Sequence, residues 1–320
     1  MTPIVQVEHL CKYFKTPRGQ LHAVEDLSFA IQEKTTLGVV GESGCGKSTL
    51  GRVIMGLHES TAGTLLLEGQ DVTRPTKAQK KAMRKDIQMI FQDPYSSLDP
   101  RMCVSDLIAE PMKALKLCDK DERELRVAEL MDTVGLSRRF AFSYPHELDG
   151  GRRQRIGIAR ALSVDPKFIV CDEPVSALDV SIQAQILNLL QDLQDQRGLT
   201  YMFITHNLSV VKHISHSILV MYLGCEVEMC DSKELFRQPL HPYTKGLLSA
   251  IPIPSIHVQR EEIIMKGEVT SPINPKPGCR FASRCPYAKD KCRESLPEVE
   301  EVLPGHYAAC HYVREINGLT

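Results

Sequence analysis

Most of what would mark this chain for nucleic acid, export or the bilayer interior is missing from its 320 residues. Formal net charge is −1, from 39 Lys and Arg against 40 Asp and Glu, so no global field favours a polyanion or an anionic membrane surface. The opening "MTPIVQVEHLCKYFK" has no apolar core behind a basic start, so no secretory leader is expected. The most apolar stretch, "SILVMYLGCEVEM", is broken by Gly224, Glu226 and Glu228. No run reaches the roughly 20 apolar residues that spanning a bilayer requires. A membrane role must come through a partner. Internal repeats, low-complexity tracts and heptads are absent as well. Tryptophan is missing, yet 42% hydrophobic and 25% charged residues are ordinary globular values. A chain of this length implies a sizeable core with an appendage or a second domain.

Along the chain, "IVQVEHL", "SFAIQ" and "TLLLEG" alternate apolar and polar residues as half-buried strands do, which predicts an antiparallel β-layer near the N-terminus. "TTLGVV" followed by "GESGCGKSTLGRVIMGL" reads as strand, Gly-rich loop and helix. From about Thr76 to Val164 the pattern is mostly helical, with "DERELRVAELMDTVGL" spacing its apolar residues by three and four. "KFIVCDEP", "YMFITH" and "SILVMYLG" read as buried strands. "SIQAQILNLLQDLQDQRG" reads as a helix stopped by Gly198. Strand and helix alternation of this kind predicts a parallel α/β sheet. After about Glu234 proline becomes frequent, in "QPLHPY", "IPIPS" and "SPINPKPG", which predicts a linker and then a small Cys-bearing tail.

Gly41, Gly46, Lys47 and Ser48 satisfy G-x-x-x-x-G-K-[ST], with the strand before and helix after that the motif demands. Glycines let successive N–H groups curl around a phosphate at a helix N-terminus, where the dipole favours an anion. Gly41, Glu42, Ser43, Gly44, Cys45, Gly46, Lys47, Ser48 and Thr49 are the candidate ATP-binding residues. Lys47 reaches for the β- and γ-phosphates, and Ser48 for the Mg²⁺ shell. A glycine turn that merely caps a helix is the bland alternative. Asp172 ends the apolar strand in "FIVCDE", where such folds place the acid that acts on the metal. Glu173 follows and is expected on the strand's opposite face, to polarise the attacking water. His206 ends the next apolar strand and is a candidate γ-phosphate contact.

The order phosphate loop, "FQDPYSSLDP", "LDGGRRQR", "FIVCDEP", "SALD", "ITH" is similar to the ATP-binding subunits of ABC transporters. The pieces "DPYSSLDPR", "HPYTKGLLSAIP" and the Cys-containing tail resemble the dipeptide/oligopeptide/nickel importer group. The resemblance covers nearly the whole chain. It implies a P-loop NTPase fold: a RecA-like parallel sheet core, an N-terminal antiparallel β subdomain, a helical subdomain and a small Cys-rich tail. The nucleotide domain would span 1–233, its helical part about 93–164, and linker plus tail 234–320.

The resemblance also implies roles. Phe14 would stack on adenine, with Tyr13 the nearest substitute. Gln92 would touch Mg²⁺ and water and lead into the helical part that grips the membrane partner. Glu173 would be the catalytic base, His206 the switch histidine, and Ser176, Ala177, Leu178 and Asp179 the loop crossing the dimer interface. Two ATPase subunits would sandwich two ATPs head to tail. The implied partners are a sister ATPase, two transmembrane permease subunits and, through them, an extracytoplasmic solute-binding protein. No nucleic acid is implied, and the location would be the cytoplasmic face of the membrane. A soluble ATPase acting on ribosomes or DNA, or a regulatory subunit, is the competing reading. The first usually has two nucleotide modules or a long coiled coil, and this chain has one phosphate loop and no heptads.

One departure stands out. The family signature L-S-G-G-Q is here Leu148, Asp149, Gly150, Gly151 and Arg152. Asp149 brings a carboxylate toward the partner's nucleotide, and a like-charge pair at about 4 Å costs roughly 4 kcal/mol at an effective dielectric of about 20. Arg152, three residues on, is placed to pair with it. The expectation is a heterodimer whose weak ATP site is the one built on the partner's phosphate loop.

Eleven cysteines are many for a soluble chain. Cys45 and Cys171 read as small packing residues. Cys279, Cys285, Cys292 and Cys310 form a separate group in the tail. Their spacing matches neither the close pairs of structural zinc nor a common iron–sulfur cluster pattern, so it decides nothing. The resemblance implies a [4Fe-4S] cluster, with zinc or plain buried thiols as alternatives.

Overall fold

The structure is a computed structural model that describes residues 3–251, 265, 267 and 271–319. The "IPIPS" stretch of the expected linker falls outside these residues after Ile251.

Strands β1 (Val5–Thr16), β2 (Gly19–Ile31), β4 (Ala62–Leu67) and β5 (Gln70–Asp71) form an antiparallel sheet in the order β2-β1-β4-β5. This is the expected N-terminal layer. The second sheet contains β3 (Thr36–Val40), β6 (Ile87–Ile90), β7 (Phe168–Asp172), β8 (Thr200–Thr205), β9 (Ser217–Tyr222), β10 (Cys225–Asp231), β11 (Glu300–Leu303) and β12 (His306–Ala308). Its order is β11-β12-β10-β9-β3-β8-β7-β6. The segment β9-β3-β8-β7-β6 is parallel. Every residue of β3, β7 and β8 is buried. That explains their unbroken apolar runs, since helices or a second sheet cover both faces.

On one face, Val170, Met202 and Leu219 pack with Leu50 and Ile54 of α1 (Lys47–Ile54) and with Val5 and Leu27 of the antiparallel sheet. On the other, Ile169, Cys171 and Phe203 pack with Ile186 and Leu190 of α6 (Val180–Arg197). That core continues into α3 (Val104–Leu115), α4 (Lys120–Thr133) and α5 (Gly150–Leu162) through Ile108, Leu130 and Ile156. The helical part is therefore continuous with the sheet's core. Within the stretch expected to be helical, α2 (Lys77–Asp86) gives way to β6, whose four residues are too few to set a period.

The C-terminal segment is sewn into both sheets, where the sequence suggested a linker and a separate tail. Helices α7 (Leu208–Ile214), α8 (Ser232–Arg237) and α9 (Pro242–Ser249) surround a core of Val211, Leu235, Tyr243 and Phe281. Strand β12 pairs with β10. Asn274 exchanges two bonds with Gln20 of β2: its Oδ1 accepts from Gln20 N–H at 2.8 Å, and its own N–H donates to Gln20 O at 2.8 Å. The β9–β10 hairpin turns at Leu223 and Gly224, both at positive φ. Its two acids, expected to break an apolar run, are buried instead. Glu228 Oε1 accepts from Leu240 N–H and pairs with His306 Nε2, both at 2.7 Å, while Oε2 accepts from His241 N–H at 2.8 Å. Glu226 is 5% exposed, and burial pushes its carboxyl up to about 8.

Candidate functional site

The loop from Gly41 to Gly46 leaves β3 and enters α1, as the motif requires. Gly41, Gly44 and Gly46 have φ of 152°, 78° and 101°. A side chain at Gly46 would meet the Ala23 carbonyl oxygen at 1.9 Å, so this position admits only glycine. Ser43 and Gly44 form the exposed tip, and Cys45 is buried beneath it. Burial raises the Cys45 thiol, in line with a packing role. No side chain caps α1, so its first amides are left for an anion. Lys47 is 4% exposed, and its Nζ donates to Gly41 O at 2.8 Å and Glu42 O at 3.0 Å.

The Ser48 hydroxyl donates to Asp172 Oδ1 at 2.7 Å. Burial pushes the Asp172 carboxyl above the ordinary carboxylate range, and the Ser48 bond opposes that shift. Two hard oxygen donors thus meet at the end of β7, a donor set suited to Mg²⁺. Glu173 differs from the sequence expectation. It lies beyond the last residue of β7, with φ 46°, so a left-handed backbone turn rather than strand alternation separates it from Asp172. Its N–H donates to Ile204 O at 2.9 Å, which holds the turn. Such strain in a non-glycine residue costs about 1–3 kcal/mol and concentrates at functional positions.

Glu173 gathers two further predicted residues. Gln92 Nε2 donates to its Oε2 at 3.0 Å, and His206 Nδ1 lies 3.2 Å from its Oε1. Gln92 faces Glu173 in this arrangement, and Ser48 faces Asp172. Upstream, Tyr13 stacks on His22 at 4.1 Å and its hydroxyl donates to Glu25 Oε1 at 2.5 Å. Phe14 lies against His58, with ring centres 5.5 Å apart.

Asp149 is the N-cap of α5. Its Oδ1 accepts from Arg152 N–H at 2.8 Å, while Oδ2 pairs with Arg152 Nη1 at 2.8 Å. The Arg152 guanidinium also sits over the Phe140 ring at 4.8 Å. The expected pairing is present, and it engages both carboxylate oxygens. Asp179 caps α6 in the same manner by accepting from Ile182 N–H at 3.0 Å. Ser176 Oγ donates to Glu173 O at 3.1 Å, so the Ser176–Asp179 loop is tied to the candidate base.

Cys279, Cys285, Cys292 and Cys310 are free thiols within electrostatic reach of one another. Burial pushes Cys279 up to about 12 and Cys310 up to about 11. Among the described residues the one tight group of metal-ligating atoms is Glu228, Cys230 and His306, within 4.8 Å of one another. Both Glu228 oxygens already accept hydrogen bonds, so its carboxylate is committed to a buried hydrogen-bond network.

Two residues beside the loop were invisible to sequence reasoning as site members. Tyr243 Oη accepts the Glu42 N–H at 2.9 Å, and Arg284 grips the Glu42 carboxylate. These contacts join positions more than 200 residues apart, and no local pattern signals them.

Two family models match the chain: "ABC transporter" over residues 24–176 and "Oligopeptide/dipeptide transporter, C-terminal region" over residues 227–292. The oligopeptide transport ATP-binding protein AppF of Bacillus subtilis is 50% identical, over 93% of this chain and 92% of that protein. OppF of the same organism, also an oligopeptide transport ATP-binding protein, is 50% identical over 96% of each. Among solved structures, the ATP-binding cassette MJ0796 in a dimeric post-hydrolysis state with ADP and Pi is 27% identical, with TM-score 0.66 over 71% of this chain and 98% of that one. Clostridium perfringens cbiO1, part of the ABC transporter complex cbiONQ, is 26% identical, with TM-score 0.66 over 74% of this chain and 92% of that one.

Proposed function

The chain belongs to the ABC transporter family, and from that premise we propose that it is the ATP-hydrolysing subunit of an oligopeptide importer. The carrying observation is the convergence of Lys47, Ser48–Asp172 and Glu173–Gln92–His206 at one end of β3, β6, β7 and β8. The peptide class rests on the matched C-terminal region and on the relatives' names.

In this reading the loop amides and Lys47 take the β- and γ-phosphates, displacing the lysine's bonds to its own loop. Phe14 stacks on adenine, because Tyr13 is committed to His22 and Glu25. Ser48 and Asp172 would hold Mg²⁺, which supplies charge neutralisation at the phosphates. Glu173 accepts the proton of the attacking water, oriented by Gln92, and His206 faces the γ-phosphate. Exposed Leu125 and Phe142 on the helical part offer apolar contacts to a permease. No helix among the described residues is long and apolar enough to cross a membrane, so attachment to the cytoplasmic face runs through two permease subunits. These in turn receive peptide from a binding protein. ATPase activity of the reconstituted transporter should rise with peptide-loaded binding protein and vanish with Lys47→Ala. Peptide-independent activity tied to ribosomes or DNA would overturn the assignment.

The signature argues for pairing with a sister ATPase of different sequence. Asp149 places a carboxylate where the partner's nucleotide would dock, and Arg152 offsets its charge without removing it. The site built on the partner's phosphate loop is then the weaker one. Replacing the catalytic glutamate of each subunit in turn tests this: Glu173→Gln should abolish turnover, and the sister substitution should spare most of it. The reverse pattern rejects it.

The four tail thiols would hold a [4Fe-4S] cluster, as a folding staple. Four thiols within electrostatic reach of one another are the donor type that holds such clusters. Anaerobic purification should give absorbance at about 400 nm and bound iron. Zinc without iron would refute the assignment.

A further inference from the structure

Glu42 puts a carboxylate in the very loop that wraps a polyanion, directly after Gly41. That charge does not stand alone. Arg284, 242 positions away, donates from Nη1 to Glu42 Oε2 at 2.7 Å and from Nη2 to Oε1 at 3.1 Å. The fork is bidentate, with the Arg284 side chain 8% exposed and that of Glu42 25%, so solvent reaches the pair only from the carboxylate side. Phe281 anchors the turn that carries Arg284: Arg284 N–H donates to Phe281 O at 2.9 Å, and the Phe281 ring lies 5.2 Å from Tyr222 and 5.4 Å from Tyr243. Tyr243 in turn holds the Glu42 main chain by accepting its N–H at 2.9 Å. The C-terminal segment thus grips one phosphate-loop residue at both backbone and side chain.

We propose that Arg284 is a positioning residue for ATP: it cancels the Glu42 charge and fixes the phosphate loop, so that the C-terminal segment completes the nucleotide site. The argument is electrostatic. An unpaired carboxylate in the loop that wraps the phosphates repels them, which weakens binding by about tenfold. A purely architectural role for Arg284 would not depend on the charge at Glu42. This proposal rests on the ATP-site reading of Lys47. A parent protein that failed to bind Mg·ATP would sink that reading first, before any variant was compared.

The test is a double-mutant cycle on the full chain, read as Kd for Mg·ATP by equilibrium titration and as the split between KM and kcat. Arg284→Gln should raise Kd about tenfold, with the loss falling on KM. In a Glu42→Gln background the same substitution should change Kd by no more than about twofold, because no charge remains to be uncovered. An unaltered Kd for Arg284→Gln overturns the proposal, as does an equal loss in both backgrounds. If Arg284→Gln alone does not fold, the double variant decides. A folded, ATP-binding double variant supports the charge role, and an unfolded one rejects it.

Discussion

In the proposed function, Lys47 and Glu173 divide binding from chemistry at the scale of single side chains. Lys47 is buried and spends its ammonium on the carbonyls of Gly41 and Glu42. Lys47→Ala should therefore raise the Kd for Mg·ATP by about 100-fold or more, read by titration, since it removes a charge-assisted contact to phosphate. Glu173→Gln can still accept the hydrogen bond from Gln92 but cannot take a proton. Turnover should fall by about 100-fold or more while Mg·ATP still binds. Glu226 sets a pH dependence remote from this chemistry. Its folded value of about 8 lies above the ordinary value of 4.5 for glutamate, so between these two the folded state binds more protons than the unfolded. Stability is then full below about 4.5 and is lost as pH rises through about 8. Glu226→Gln should flatten the fall in urea midpoint between pH 5 and pH 9. An equally steep fall in the variant would refute the assignment of the pH dependence to Glu226.

At the scale of elements, α5 shows how a substitution can serve the fold and trouble the function. Serine and aspartate are both good N-caps, so Asp149 keeps the helix start intact while, in the proposed pairing, adding charge toward the partner's nucleotide. Asp149→Ala should cost about 1 kcal/mol in the urea unfolding free energy, whereas Asp149→Ser should cost little. In the assembled transporter, Asp149→Ser should raise total ATPase rate if the carboxylate limits the partner's site. An unchanged rate would place that limit elsewhere. The same scale explains Glu173. The turn after β7 was not legible, because sequence alternation extends a strand by default, and what ends it is the left-handed backbone at Glu173, φ 46°.

For the molecule as a whole, the C-terminal segment is not an appendage. Glu228 of β10 accepts from two backbone amides of the Leu240–His241 stretch and pairs with His306 of β12. Glu228→Ala would strand those donors in a dry interior and should destabilise the chain by about 3–5 kcal/mol. Limited proteolysis should then cut first near β11 and β12. Cleavage confined to the helical part would contradict this. The nucleotide loop is held from the same side by Tyr243 and Arg284, so loosening the segment should reach ATP binding as well.

The chain's local pattern is enough to specify the phosphate loop, the buried parallel strands, the acid pair after "FIVC" and the signature with its odd carboxylate. These depend on short spacings and on periods of two or 3.6 residues. It also placed Arg152 beside Asp149, because three residues make one helical turn. Tertiary structure alone decided that the C-terminal strands extend the central sheet and that Glu226 and Glu228 are buried. It alone set Arg284 on Glu42. Those outcomes turn on which distant groups share a dry interior, and charge pairs or hydrogen bonds across more than 200 residues leave no period in the chain to read.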